Sequence, residues 1–138
     1  MSEPLVTFSA EDAVGFITLN RPPANTFEIR FMRELDAAVV AANNAVEIKA
    51  VVLKSAAEKF FSAGADIKVF HTNDVAGNME LINVSHQTLE KMAASQKVFI
   101  AAISGHTLGG GLEVASGIYI YRLRVGNYQQ SRRLLLVR

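Results

Sequence analysis

Three consecutive glycines, Gly109, Gly110 and Gly111, followed two positions later by Glu113, are the residues of this chain best suited to chemistry. Glycine loses more backbone entropy on folding than any other residue. A run of three therefore marks a backbone that must approach something closely or adopt conformations closed to other residues. At the start of a helix such a run also leaves N–H groups without partners, with the positive end of the helix dipole behind them. Those donors suit an anion, or a carbonyl oxygen that becomes one. Glu113 falls within one turn of them, close enough to move a proton at the same substrate. Together they read as an oxyanion hole with an acid–base group beside it. On local pattern alone, a tight strand-to-helix turn without chemistry is an equal reading.

A second turn, residues 60–67 (FFSAGADI), also gathers small residues around a glycine. Two such turns, each leading from an apolar strand toward a helix, can supply two backbone N–H groups to one oxygen. Other chemistries fit less well. Neither turn matches GxxxxGK[ST] or GxGxxG, which argues against a direct phosphate cradle. Ser62 and Ser104 lack the GxSxG setting of a nucleophile elbow. His71, His86 and His106 lack metal-ligand spacing, and His106 reads as an ordinary loop histidine that could at most orient a group in the glycine turn. No cysteine is present, which excludes a disulfide framework and a thiolate zinc site.

The elements that must position these turns can be read from periodicity. Residues 6–9 and 14–19 are β-rich runs joined by Ala10-Glu-Asp-Ala as a hairpin. From 26 to 43 the period becomes helical, with Phe31, Leu35, Ala38 and Ala42 on one row, Met32 and Val39 on the next, and Thr26 as N-cap. Residues 48–53 form an apolar strand expected to be covered on both faces. Residues 54–66 read as a loop. A helix over 79–95 turns Ile82, Leu89, Met92 and Ala93 inward, and an apolar strand over 98–103 leads into the glycine turn and a helix from about Gly110. Strands alternating with helices predict an α/β fold.

The 138 residues are one domain's worth, half hydrophobic and one-fifth charged, a globular composition. The longest apolar run is about six residues, far short of a membrane span. With no secretory signal visible at the start, the expected location is the cytoplasm. The net charge of +1 hides an asymmetry. Residues 1–113 carry nine Lys/Arg and thirteen Asp/Glu, whereas 114–138 carry five Arg and no acid. A basic tail interleaved with Tyr119, Tyr121 and Tyr128 could bind RNA or anionic lipid. A half-buried strand over Ile118-Tyr-Ile-Tyr-Arg-Leu-Arg-Val is the preferred reading, so neither nucleic acid nor membrane is an expected partner.

The strings FFSAGADIK (60–68) and IAAISGHTLGGGLEVA (100–115), with VGFITLNRPPANTF (14–27) before them, resemble signature segments of the enoyl-CoA hydratase/isomerase (crotonase) family. The resemblance covers about residues 5–116. It implies an α/β, crotonase-like fold of repeated ββα units (the ClpP/crotonase type), truncated here to its N-terminal half. It implies a lyase or isomerase of fatty acid metabolism acting on an acyl-CoA thioester, with no metal and no cofactor beyond the coenzyme A of the substrate. By position, the N–H groups of Ala65 and Gly110 match the two oxyanion donors, and Glu113 matches one of the two glutamates of the hydratases. Ala63, Asp66 and Ile67 match the segment lining the adenine end of CoA. Lys68 lies where a cation could meet its phosphates, and Gly109 adjoins the second donor. A homotrimer or hexamer is implied for a full-length form.

The chain departs from the family pattern near Ser116, which divides it into a core of residues 1–116 and a divergent basic tail of residues 117–138. No Pro-Glu segment supplies the second glutamate, and no Asp or Glu follows Glu113. The tail is expected to derive from a truncation, a shifted reading frame or an altered coding sequence. With one acid, double-bond isomerisation or enolate protonation fits better than hydration, and a non-catalytic acyl-CoA binder is the alternative.

Overall fold

A computed structural model describes residues 2–116 and 119–121. The chain opens with an antiparallel hairpin of β1 (Val6–Glu11) and β2 (Val14–Leu19), in register from Val6↔Leu19 to Glu11↔Val14. The turn is shorter than the sequence suggests, because the first strand continues through Ala10 and Glu11. Asp12, at φ 52°, supplies the left-handed residue that an aspartate tolerates. After β2 the chain forms β3 (Thr26–Phe27) and α1 (Ile29–Asn44), then β4 (Ala50–Ser55), β5 (Phe60–Ser62) and β6 (Gly64–Ala65). Two helices follow, α2 (Ile67–Thr72) and α3 (Val75–Ala93), then β7 (Val98–Ala102), β8 (His106–Thr107), α4 (Gly110–Ser116) and β9 (Tyr119–Tyr121).

A five-stranded sheet in the order β1-β2-β4-β7-β9 forms the spine, parallel from β2 onward. Parallel neighbours need long crossovers, and here those from β2 to β4 and from β7 to β9 each carry a short second strand and a helix, while the one from β4 to β7 carries two of each. These are the repeated ββα units of a crotonase-like α/β fold. The short strands pair with each other, β3 with β6 and β5 with β8, so the crossovers are stitched together on one side of the spine. The region expected as a tail contributes β9 to the sheet, and the rest of it lies outside the described residues.

Helix α1 buries the six apolar residues that its periodicity singles out: Phe31, Met32, Leu35, Ala38, Val39 and Ala42. Burying large apolar side chains contributes about 1.5–3 kcal/mol each, so packing rather than propensity holds this helix. Its N-cap is Glu28, whose carboxylate accepts from Phe31 N at 2.9 Å and Arg30 N at 3.1 Å. Thr26 cannot cap it, because Thr26 is strand-paired to Gly64 and its hydroxyl donates to Asp66.

Strand β4 is not covered on both faces as expected. Val51 and Leu53 are buried while Val52 and Ala50 are half-buried, the alternation of a strand packed on one face. Helix α3 begins four residues early, where Asp74 caps it through Gly77 N at 2.7 Å. Its fully buried residues are Leu81, Thr88 and Met92, whereas Ala93 faces outward. Ile82 and Leu89 are half-buried. The polar Thr88 is accommodated against α1, where its hydroxyl donates to Val84 O and to Asp36 Oδ1.

Candidate active site

The two glycine turns of the sequence meet. Strand β5 runs parallel to β8, and Leu108 N donates to Ser62 O at 2.9 Å, laying the second turn along the first. The contact is too close for side chains. Gly64 sits at φ 82°, and a Cβ there would lie 2.6 Å from Gly110 N. A Cβ on Gly110 would lie 2.8 Å from the Phe27 ring, and one on Gly111 2.5 Å from Ser62 O. Contacts under 3.0 Å cannot be relieved against backbone, so packing requires glycine at 64 and 111, while a side chain at 110 would have to displace the Phe27 ring.

The same geometry leaves two N–H groups available. In the parallel β3–β6 pair, Asp66 N donates to Phe27 O at 3.0 Å. That makes Phe27 the residue that both gives and accepts ladder bonds, and its partner Ala65 contributes none. In the second turn, Gly111 N donates to Leu108 O, while Leu112 N and Glu113 N both donate to Gly109 O. Among the described residues no hydrogen bond engages Gly110 N–H. Helix α4 has seven residues, so the N–H itself, rather than a long dipole, is what it offers.

Ala65, Gly110 and Glu113 line one cavity of about 260 Å³. Its other walls are mostly apolar, from Phe27, Met32 and Phe70 and, on α3, Leu81, Ile82 and Leu89, with Ser85 and His86 among them. An adjoining shallower hollow of about 270 Å³ is lined by Ala65, Ile67, Phe70 and His71, so Ala65 and Phe70 belong to both. Ile67 is 72% exposed there. Lys68 follows it, exposed on the first turn of α2. Ala63 N is held by Ala24 O at 2.9 Å, and Ala63 O faces Gly109.

Asp66 has its carboxylate committed to the fold. One oxygen accepts from Lys68 N and Val69 N at the start of α2, and the other pairs with Arg21 at 3.0 Å and Thr26 Oγ1 at 3.0 Å. Burial pushes this carboxyl upward, but the hydrogen bonds from Arg21, Thr26 and Val69, with the Arg21 charge, outweigh it and hold it below the usual aspartate range. Behind the first turn lies Asn25, fully buried at φ 47°. It donates to Ser55 Oγ (2.7 Å) and Phe61 O (2.9 Å), accepts from Arg21 N (2.7 Å), and its carbonyl accepts from Ser62 Oγ (2.8 Å). Sequence reading missed this residue. Its only signal was an asparagine beside a proline pair.

The histidines separate. His106 lies in strand β8 rather than in a loop, paired with Phe60 and with the two rings 5.3 Å apart, and His71 lines the shallow hollow. His86 lines the main cavity beside Glu113. The sequence reading weighed it only as a metal ligand, although it stands four residues after Ile82 and three before Leu89. Among the described residues no cluster of three or more His, Asp or Glu could hold a metal, and no helix is long and apolar enough to cross a membrane.

Comparison with known proteins decides the family. The model of the enoyl-CoA hydratase/isomerase family matches residues 9–121. The chain belongs to this family. A probable enoyl-CoA hydratase of Rhizobium meliloti is 40% identical over 116 residues, covering 83% of this chain and 44% of that protein. One from Bacillus subtilis is 32% identical over 118 residues, covering 83% and 45%. The crystal structure of a Geobacillus kaustophilus enoyl-CoA hydratase superposes with a TM-score of 0.83 at 33% identity, covering 88% of this chain and 47% of that one. The fold is therefore the crotonase fold, and the chain spans under half the length of these relatives.

Proposed function

We propose that the chain binds an acyl-CoA thioester and stabilises its enolate, with Ala65 N–H and Gly110 N–H holding the thioester oxygen and Glu113 moving the α-proton. The observation that carries this reading is the convergence of those three groups on one largely apolar cavity. Donors aimed at an oxygen that gains charge are worth about 10²–10³ in rate each. The cavity's 260 Å³ is smaller than the roughly 300–1,000 Å³ of drug-sized sites. It therefore takes the acyl portion, while the nucleotide lies outward past Ile67 and Lys68. The chemistry is thioester polarisation and proton transfer, which calls for no metal or redox cofactor.

Calorimetric titration with acetoacetyl-CoA, whose enolate suits two converging donors, tests the site. Saturable micromolar binding is expected. The variant Glu113→Gln should keep that binding and lose turnover by about 10²–10⁴-fold. Unchanged turnover in the variant would refute the role of Glu113. A second reading, an acyl-CoA binder without turnover, is favoured by the absence of any Asp or Glu after Glu113. It predicts the same binding isotherm with no turnover in either protein.

A further inference from the structure

Phe27 touches both turns of the cavity at the residues that carry the two N–H groups. It is the β3 partner of Ala65, and its carbonyl accepts from Asp66 N at 3.0 Å, so its peptide fixes the backbone on which Ala65 N–H is presented. Its ring meets the other turn. A methyl on Gly110 would lie 2.8 Å from Phe27 Cε2 and 3.2 Å from Cδ2, so not even one carbon fits between the ring and Gly110. The ring is 6% exposed and forms part of the cavity wall.

The ring is itself held from behind. Phe31, fully buried on the first turn of α1, stacks on it with centroids 5.7 Å apart and planes 20° from parallel. Phe31 N donates to the capping carboxylate of Glu28 at 2.9 Å, so the second ring is anchored to the start of the helix. Phe31 does not line the cavity. A series of contacts therefore runs from the α1 cap through two rings to Gly110. An aromatic side chain has only two torsions, and stacking restrains both.

We propose that Phe27 is a positioning residue of this site: its peptide sets Ala65 N–H, its ring sets Gly110 N–H, and together they fix the separation of the two donors. The inference rests on the proposed acyl-CoA reading. A hydrogen bond weakens steeply with misalignment, and donors stabilise a developing oxyanion only when held in place beforehand. Gly110 has no side chain with which to anchor itself. The Phe27 ring supplies the surface it rests on, and Phe31 keeps that surface from retreating into the core.

The test compares two ligands of the 138-residue chain: acetoacetyl-CoA, whose enolate oxygen needs both donors, and S-butyl-CoA, a thioether that lacks the thioester oxygen. Phe27→Leu keeps an apolar side chain and the β3–β6 ladder but loses the ring. It should lower the affinity for acetoacetyl-CoA relative to S-butyl-CoA by about tenfold or more, below the loss of a whole donor. The pH at which the bound ligand shows its enolate absorbance should rise by about one unit, the same tenfold factor. Phe31→Leu leaves Phe27 in place without its backing, and should move both readings in the same direction by less. A purely structural role would weaken both ligands alike and leave the enolate pH where it was. A parent that prefers acetoacetyl-CoA, with the affinity ratio and enolate pH unmoved in either variant, overturns the proposal and leaves the acyl-CoA reading standing. A parent that binds the two ligands equally, or neither, removes the two-donor reading and this inference with it.

Discussion

The two turns that meet at the cavity are secured in opposite ways: residues 60–66 by side chains, and residues 105–113 by their lack. Around the first, Asn25, Ser62, Arg21 and Asp66 form a buried and half-buried polar network that fixes the backbone from behind. The second lies against it through glycines whose missing Cβ atoms would otherwise overlap Phe27, Ser62 and Lys59. A polar network loses stability step by step as its members are removed. A steric fit fails at the first added carbon.

The sharpest way to break this contrast is Gly64→Ala, at the point where the two turns touch. The methyl would need a left-handed conformation and would lie 2.6 Å from Gly110 N, so the turns must separate. Loss of acetoacetyl-CoA binding by about a hundredfold or more is expected, the scale of one displaced oxyanion donor. Binding equal to that of the parent in the same titration would show that the fit of the turns does not set the donors. Next in size is Asn25→Ala, which removes the side-chain partner of Phe61 O and of Arg21 N, while Ser55 Oγ keeps Phe60 O and Ala57 N. A loss of about 2–4 kcal/mol in denaturant unfolding is expected. Because the second turn is untouched, binding at saturating folded protein should change less than in Gly64→Ala.

The smallest effect is Asp66→Asn, about 1–2 kcal/mol at neutral pH from a weakened cap and ion pair. Its sign with pH follows from the lowered carboxyl. The folded value lies below the unfolded one, so the stabilisation is fully present above the unfolded value and is lost as pH falls through the folded one. Melting temperatures of the parent and Asp66→Asn should converge on acidification below the usual aspartate range. A constant gap across that range would remove the carboxylate's charge from the account.

Local physics made part of this molecule readable without coordinates. All six residues assigned to the buried rows of α1 are buried, because a 16-residue amphipathic helix repeats its signal over four turns. The hairpin and the β7 strand were legible for the same reason, each presenting several residues of one pattern. Strands of two or three residues have no such repetition. Thus β3, β5, β6 and β8 were hidden inside stretches that read as loop or helix, and the cap of α1 moved from Thr26 to Glu28 once β3 claimed Thr26.

The order of residues by itself determined the family, the paired glycine turns and the acid that follows the second, since those depend on residue identity at fixed short spacing. Only the tertiary structure decided that the turns interlock, that Asn25 is the hub behind them, and that His86 shares a cavity with Glu113 while His71 and His106 do not. Contacts between residues 20 to 80 positions apart are set by how helices and strands pack. No local period in the chain encodes that packing.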